Sequence, residues 1–473
     1  MIRLRSSKRW FTAASVALVG GLATLTSGAL AHSAPDLATP TCLAPGVQVT
    51  RLVPTASASA RKYGFGFPAR ALKSWRSRSQ TEYSAEVVRT WHTMAAVQPT
   101  NPVRQSRVLA MVHAAIHDAV NGAVPRYRTY ASWLSDPSAD PEAAAAAAAH
   151  RVLVNLFPAN TAAFDAQLAS SLASIPDGTA EDAGVALGSA VGQSIVNFRV
   201  NDGMDLPDPF NPTPGPGVWE PTPPAFAAAV EPQMQNVTPF TIRSRTQFDV
   251  EPPPALVSPE YARDYNEVKA VGQTSSTLRA DDQTHAAHFW FEASNVGWSR
   301  IAAIYTLQNG TGLHDTARLF ALLNMAMADG YVAGFYWKRT HAFWRPITAI
   351  RKAETDGNPE TDPDPAWTSL RPTPPSADYP STHSVLGTAA AQILRHFTGS
   401  DRFSFCMVSN SAEPAGSVRC YNRFSEAAAE NADSRVYIGY HFRFATTAGM
   451  RLGRQIGNFA YRHNLEPLRP RRW

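Results

Sequence analysis

From about residue 84 to residue 462, the apolar side chains of this chain recur every three or four positions and hardly ever on alternate ones. That rhythm restricts the chain to helices packed on helices. Between Val87 and Ala123, the residues Val108, Met111, Val112, Ala115, Ile116, Ala119 and Val120 form one wide apolar stripe. Helices are further predicted over Pro141–Leu156, Ala162–Ser174, Thr179–Asn201, Pro259–Val271, Asp281–Phe291, Trp298–Gln308, Leu313–Thr340, Ser384–Phe397, Ser425–Arg435 and Thr446–Arg462. Pro141 stands where a first turn tolerates proline, and the alanines from Ala143 to Ala149 suit close helix packing. With no internal repeat, the expected fold is all-α: a single large helical domain built around helix bundles, spanning residues 84–465.

Two proline-rich stretches interrupt this pattern and cannot be helix interior. Pro207–Pro224 holds eight prolines, and a second piece runs from Pro252 to Pro259. Phe210, Trp219, Phe226, Phe240 and Phe248 give these loops something to bury, so they are expected to be ordered excursions and not a flexible linker.

Residues 1–31 read as a secretory signal. Arg3, Arg5, Lys8 and Arg9 precede an apolar stretch from Ala13 to Leu25, and Ala29 and Ala31 offer a cleavage site. The competing reading is an uncleaved anchor, but glycines break the stretch and it is shorter than the ~20 residues of a spanning helix. A secreted or periplasmic protein without stable membrane insertion is expected. No further apolar run is read as long enough to span a bilayer, which argues against an integral membrane lipid phosphatase. The formal charge of +5 owes four units to the leader. Without a basic stripe outside the tail at 466–473, no nucleic-acid partner is expected. Residues 32–83 read as an irregular lead-in. Export permits Cys406 and Cys420 to pair across a polar loop, leaving Cys42 over; three free thiols are the alternative.

The chemistry is concentrated in three short clusters. Lys338 and Arg345 are seven residues apart, hence on one face of a helix, amid Tyr336, Trp337, His341, Phe343 and Trp344. Pro346 pushes Arg345 to the helix end. Ser381, Thr382 and His383 follow Pro380 at a predicted helix start, where unpaired N–H groups and the dipole favour an anion. Arg435 and His441 flank Gly439, whose freedom lets the chain turn both side chains to one pocket. Each cluster has a bland reading: solvated charge, an N-cap, a core histidine. Together they form a kit of three cations, a hydroxyl and two imidazoles for enclosing a tetrahedral oxyanion and moving protons around it.

In order and spacing these clusters resemble the signature shared by vanadium-dependent haloperoxidases and type-2 phosphatidic acid phosphatases: Lys, six residues, Arg-Pro; Pro-Ser-Gly-His; Ser-Arg, five residues, His. The segments TPPSADYPSTHS (373–384), SRVYIGYHFRF (434–444) and VHAAIHDAVNGA (112–123) are similar to the soluble bacterial haloperoxidase-like branch. The resemblance implies vanadate bound through His441 Nε2, its oxygens neutralised by Lys338, Arg345 and Arg435. It also implies donation to those oxygens from Ser381 and the Thr382 N–H, and acid–base work by His383. Lys338 would additionally polarise the activated peroxide. The implied reaction is oxidation of a halide or small organic substrate by H2O2. Vanadate mimics phosphate, so a metal-free secreted acid phosphatase, acting on phosphomonoesters through a phosphohistidine at His441, is the alternative; an inactive oxyanion-binding homologue is the third.

Three positions depart from the pattern. Thr382 replaces glycine, Ala445 stands where many members carry an Asp that orients the histidine, and Ser376 stands where some have an aromatic at the halide site. Among other polar residues, His113 and His117 are read as helix core. His285 and His288 are read as packing, or as lining a pocket mouth. Asp118, Asp281 and Asp282 are candidate anchors for an arginine.

Overall fold

The computed structural model describes residues 83–468. The leader, most of the 32–83 lead-in, Cys42 and the last five residues of the basic tail lie outside the described residues. The described helices are α1 (Glu86–Ala96), α2 (Pro102–Ala123), α3 (Pro141–Leu156), α4 (Thr161–Leu172), α5 (Thr179–Arg199), α6 (Pro259–Val271), α7 (Asp281–Phe289), α8 (Ser294–Gln308), α9 (Leu313–His341), α10 (Pro346–Arg351), α11 (Thr382–Thr398), α12 (Phe424–Tyr437) and α13 (Arg443–His463). The protein is all-α apart from one antiparallel hairpin, β1 (Arg402–Val408) and β2 (Val418–Arg423). Cys406 and Cys420 face each other across this hairpin and are joined by a disulfide, with the polar turn between them.

The stripe from Val87 to Ala123 is two helices. Asn101 caps α2 by accepting from the N–H groups of Val103 and Arg104, and Pro102 takes the first position, so the chain must bend before it. Elsewhere the predicted helices stand within a few residues of their expected bounds. The six-residue α10 had no expectation, because helical periodicity needs more than two turns to show.

α9 runs through the core, with α2 on one side and α11 on the other. It is long and apolar enough to cross a membrane by length and composition, contrary to the expectation that no such run remained. Its side chains from Ala317 to Phe335 are instead almost all buried against other helices.

Two helix pairs approach through matched glycine ladders. On α5, Gly184, Gly188 and Gly192 lie against the backbone of α3, whose alanines 143–149 are all fully buried. On α13, Gly449, Gly453 and Gly457 lie against Ser381, Val385 and Ala389 at the start and middle of α11. A Cβ at Gly192 would stand 2.6 Å from Ala148 O, and one at Gly457 2.6 Å from Ala389 O. Such approaches admit hydrogen only.

The proline-rich excursions are strapped onto the core next to the polar clusters. Trp219 N donates to Ala342 O at 2.6 Å, Trp344 N to Gly217 O at 2.9 Å, and Val230 N to Pro375 O at 2.9 Å. Trp219 is buried and stacks on Phe210, and Phe240 is buried. Asp329 on α9 accepts from the N–H groups of Phe240, Thr241 and Ile242, which ties the segment down. Phe226, expected to be buried, is 63% exposed.

Candidate active site

Lys338 lies in the last turn of α9, but Arg345 is not on the same helix. The helix ends at His341, Ala342 turns left-handed with φ 45°, and Arg345 caps α10 with extended geometry before Pro346. The two cations reach one place by a turn and a second helix, not by two turns of one face. Both are buried, and both clamp the segment leading to α11. Lys338 Nζ donates to Ala377 O and, at 2.9 Å, to Asp378 O. Arg345 donates from Nε to Ser376 O at 2.6 Å and from Nη2 to Ser376 Oγ at 2.9 Å.

Ser381 is the N-cap of α11 and fully buried. Its Oγ accepts from Ser384 Oγ at 3.1 Å, and its N–H donates to Ala445 O at 3.0 Å, joining the starts of α11 and α13. Thr382 is the first helical residue, where a backbone N–H has no intrahelical acceptor. The bulk of Thr382 is accommodated by another glycine: a Cβ on Gly334 of α9 would stand 2.7 Å from Thr382 Cγ2. The methyl group is thus turned against α9, and the missing side chain at 334 makes room for it.

Arg435 lies in the last turn of α12, and Gly439, with φ 82°, reverses the chain so that Tyr440 N and His441 N both fold back on Arg435 O. A side chain at 439 would meet Gly272 O and Trp367. The turn therefore needs glycine for both conformation and space. Arg435 Nη2 donates to Trp290 O at 2.7 Å.

The imidazole tautomers follow from their partners. Trp290 O, 2.8 Å from His383 Nε2, can only accept, so Nε2 carries the proton; Nδ1 is then the basic atom, 3.0 Å from Ser294 Oγ. Arg345 Nη1, which can only donate, lies 3.1 Å from His441 Nε2 and 3.5 Å from Nδ1; the shorter contact puts the lone pair on Nε2 and leaves the proton to Nδ1. His441 Nδ1 lies 2.8 Å from Asp378 Oδ1.

Shared partners join the clusters: Arg345 bonds His441, His441 N bonds Arg435 O, and Arg435 and His383 meet on Trp290 O. Burial drives His441 well below its ordinary pKa, and Arg345, Lys338, Arg435 and His383 all push it further in the same direction. His383 is lowered by burial and then by Arg435. Burial likewise lowers Lys338, with Arg345 adding to it, and brings Arg345 and Arg435 down to about 10. Asp378 is raised by burial to about 7, against the pull of Arg345 and Lys338. Three buried cations act here with one carboxylate beside them. Such an excess is costly unless an anion is bound, and the donor set fits a tetrahedral oxyanion: cationic N–H groups, a helix-start N–H, a hydroxyl and an imidazole lone pair.

The remaining candidates lie apart from this cage. Asp118 accepts the N–H groups of Tyr130, Ala131 and Ser132, and Asp282 pairs with Arg419, so neither anchors a cage arginine. Asp281 stands in the first turn of α7 and has no bond to either arginine. His113 packs in the core against His92 and Phe320, and His117 binds Arg128 O. His285 accepts from Arg419, and His288 contacts Arg371 and Glu413. Sequence reasoning missed Asp378 and Ser294 as imidazole partners and Trp290 O as a shared acceptor. The position of Asp378, five residues before His383, was the one available signal.

Residues 318–470 match the family described as the VCPO second helical-bundle domain. Vanadium chloroperoxidase of Curvularia inaequalis is 25% identical, the match covering 77% of this chain and 78% of that protein. Over residues 318–470, which carry the polar clusters, the chain is thus similar to the vanadium haloperoxidases. Among solved structures, the first bacterial vanadium-dependent iodoperoxidase superposes with a TM-score of 0.71 at 24% identity, over 84% of this chain and 100% of that one. A holo-type bacterial vanadium-dependent chloroperoxidase gives 0.62 at 17% identity, over 79% and 96%. These two likenesses speak for the fold.

Proposed function

We propose that this protein is a vanadate-dependent haloperoxidase that uses H2O2 to oxidise a halide or a small organic substrate. The observation that carries the reading is one group of side chains joined by shared partners: Arg345 on His441, His441 N on Arg435 O, Arg435 and His383 on Trp290 O, and Lys338 on the Asp378 carbonyl beside His441. His441 Nε2 would hold the vanadium. Lys338, Arg345 and Arg435 would neutralise the oxyanion, and Ser381 Oγ with the Thr382 N–H would donate to it. Vanadate, when bound, supplies Lewis-acid activation of peroxide without a change of oxidation state. His383 accepts the proton released by H2O2 at Nδ1, the nitrogen that Ser294 Oγ faces, while Trp290 O holds Nε2–H and fixes the ring. The apolar packing around the cage keeps bulk water from dispersing its charge.

The test is to load purified protein with orthovanadate, measure vanadium per chain, and follow iodide, bromide and chloride oxidation with monochlorodimedone or thymol blue. Stoichiometric vanadium and vanadate-dependent turnover are expected. Hydrolysis of p-nitrophenyl phosphate inhibited by vanadate, with no peroxidation, would replace this reading with the phosphatase one. We also propose that residues 1–31 direct export; N-terminal sequencing of protein from the periplasm or medium should begin near residue 32.

A further inference from the structure

We infer that Asp378 is the positioning residue of His441, supplying from the segment before α11 the carboxylate that this chain lacks at Ala445. The inference deepens the functional reading above and rests on it.

Three observations meet at this point. Ala445 is fully buried near the start of α13 and has no side-chain acceptor to offer the imidazole. Asp378 is itself fully buried and neither carboxylate oxygen has a hydrogen-bond partner, while Oδ1 stands 2.8 Å from His441 Nδ1, at ion-pair distance, and 3.9 Å from Arg345 Nη1. The opposite ring nitrogen, Nε2, faces a group that can only donate. A carboxylate on one side and a guanidinium on the other select the same tautomer, with the proton on Nδ1 and the lone pair on Nε2. That is the tautomer able to bond a metal or a phosphorus centre.

Asp378 is well placed for this because its backbone is fixed at both ends. Its N–H donates to Phe343 O at 2.9 Å, and its carbonyl accepts from Lys338 Nζ at 2.9 Å. The carboxylate therefore cannot drift without moving Lys338 and the loop that follows α9. One short segment, residues 376–378, thus sets two cage cations through its carbonyls and the imidazole through a side chain.

The experiment compares wild type, Asp378→Asn and Asp378→Ala, each checked for folding by circular dichroism. The readouts are orthovanadate affinity by titration calorimetry and ring-nitrogen NMR of histidine-labelled protein, with the His441 signals assigned by loss in His441→Gln. Asp378→Ala is expected to weaken vanadate by about 10- to 100-fold, the usual range for losing the partner of a ligand. It should also shift the His441 proton toward Nε2. Asp378→Asn keeps an acceptor but no charge, and should fall between the two in affinity while keeping the Nδ1–H signal. A folded Asp378→Ala that binds vanadate as wild type does and retains the Nδ1–H signal overturns the inference. If Asp378→Ala does not fold, Asp378→Asn decides: affinity equal to wild type overturns it, and a loss of several-fold upholds it. Wild type that takes up no vanadate would sink the functional reading, yet the NMR comparison would still judge Asp378.

Discussion

Each imidazole of the cage has one nitrogen that is spoken for and one that is chemically useful, and the useful ones differ. At His441 it is Nε2, held by Arg345; at His383 it is Nδ1, beside Ser294. Their loss should therefore have different signatures. His441→Ala is expected to leave the purified protein without retained vanadium and without peroxidation, as measured by elemental analysis and turnover. His383→Ala should retain vanadium and lose about 10²- to 10⁴-fold in turnover, the usual share of a general acid–base. At this scale the sequence displays the groups that lie in compact clusters, because Lys338, Arg345, Ser381, His383, Arg435 and His441 stand out by type and spacing. Ser294, Trp290 and Asp378 act from separate segments, and Trp290 acts through its carbonyl, which no side-chain pattern can reveal.

Helices α11 and α13 are pressed together at Gly449, Gly453 and Gly457, and α11 begins at Ser381 and Thr382, the proposed oxyanion donors. The α3–α5 pair has the same construction but carries no cage residue. A methyl group at Gly453 would overlap Val385 O, and one at Gly188 would overlap Ala144 O. Gly453→Ala and Gly188→Ala should each destabilise the fold by about 1–3 kcal/mol, the range for overpacking, measured as urea midpoints. Only Gly453→Ala should also weaken vanadate binding, because the helix it displaces presents Ser381 and the Thr382 N–H. The helices themselves were legible from periodicity, and the start of α6 from Pro259, but the break before α2 at Asn101 and Pro102 was not read. The break between Lys338 and Arg345 was not legible, since it depends on a left-handed alanine that no local preference announces.

The whole molecule buries histidines far from the cage, and they set its response to acid. His117 is held down to about 3, mainly by burial, and His314 to about 4 for the same reason. Both titrate near 6.5 when the chain is unfolded. Between pH 6.5 and about 4 the unfolded state binds protons that the folded state refuses. Their contribution to stability is therefore intact above pH 6.5 and is lost as pH falls toward the folded values. Each should cost roughly 2 kcal/mol at pH 5 relative to pH 7. Urea midpoints should fall accordingly on acidification, and the slope should be shallower in His314→Gln. Separately, Cys406→Ser should lower thermal stability, by up to about 3 kcal/mol for so short a loop, while leaving vanadium content unchanged.

One carbonyl, Trp290 O, receives both Arg435 and His383, and the indole N–H of the same residue donates to Glu430 at 2.9 Å. Glu430 in turn accepts from Tyr421 and Arg419 on the disulfide-linked hairpin. The hairpin is thus geared to the proton-handling ring through a single tryptophan. Altering Arg419 or Tyr421 should therefore change the proposed peroxide turnover while leaving the proposed vanadate contacts in place.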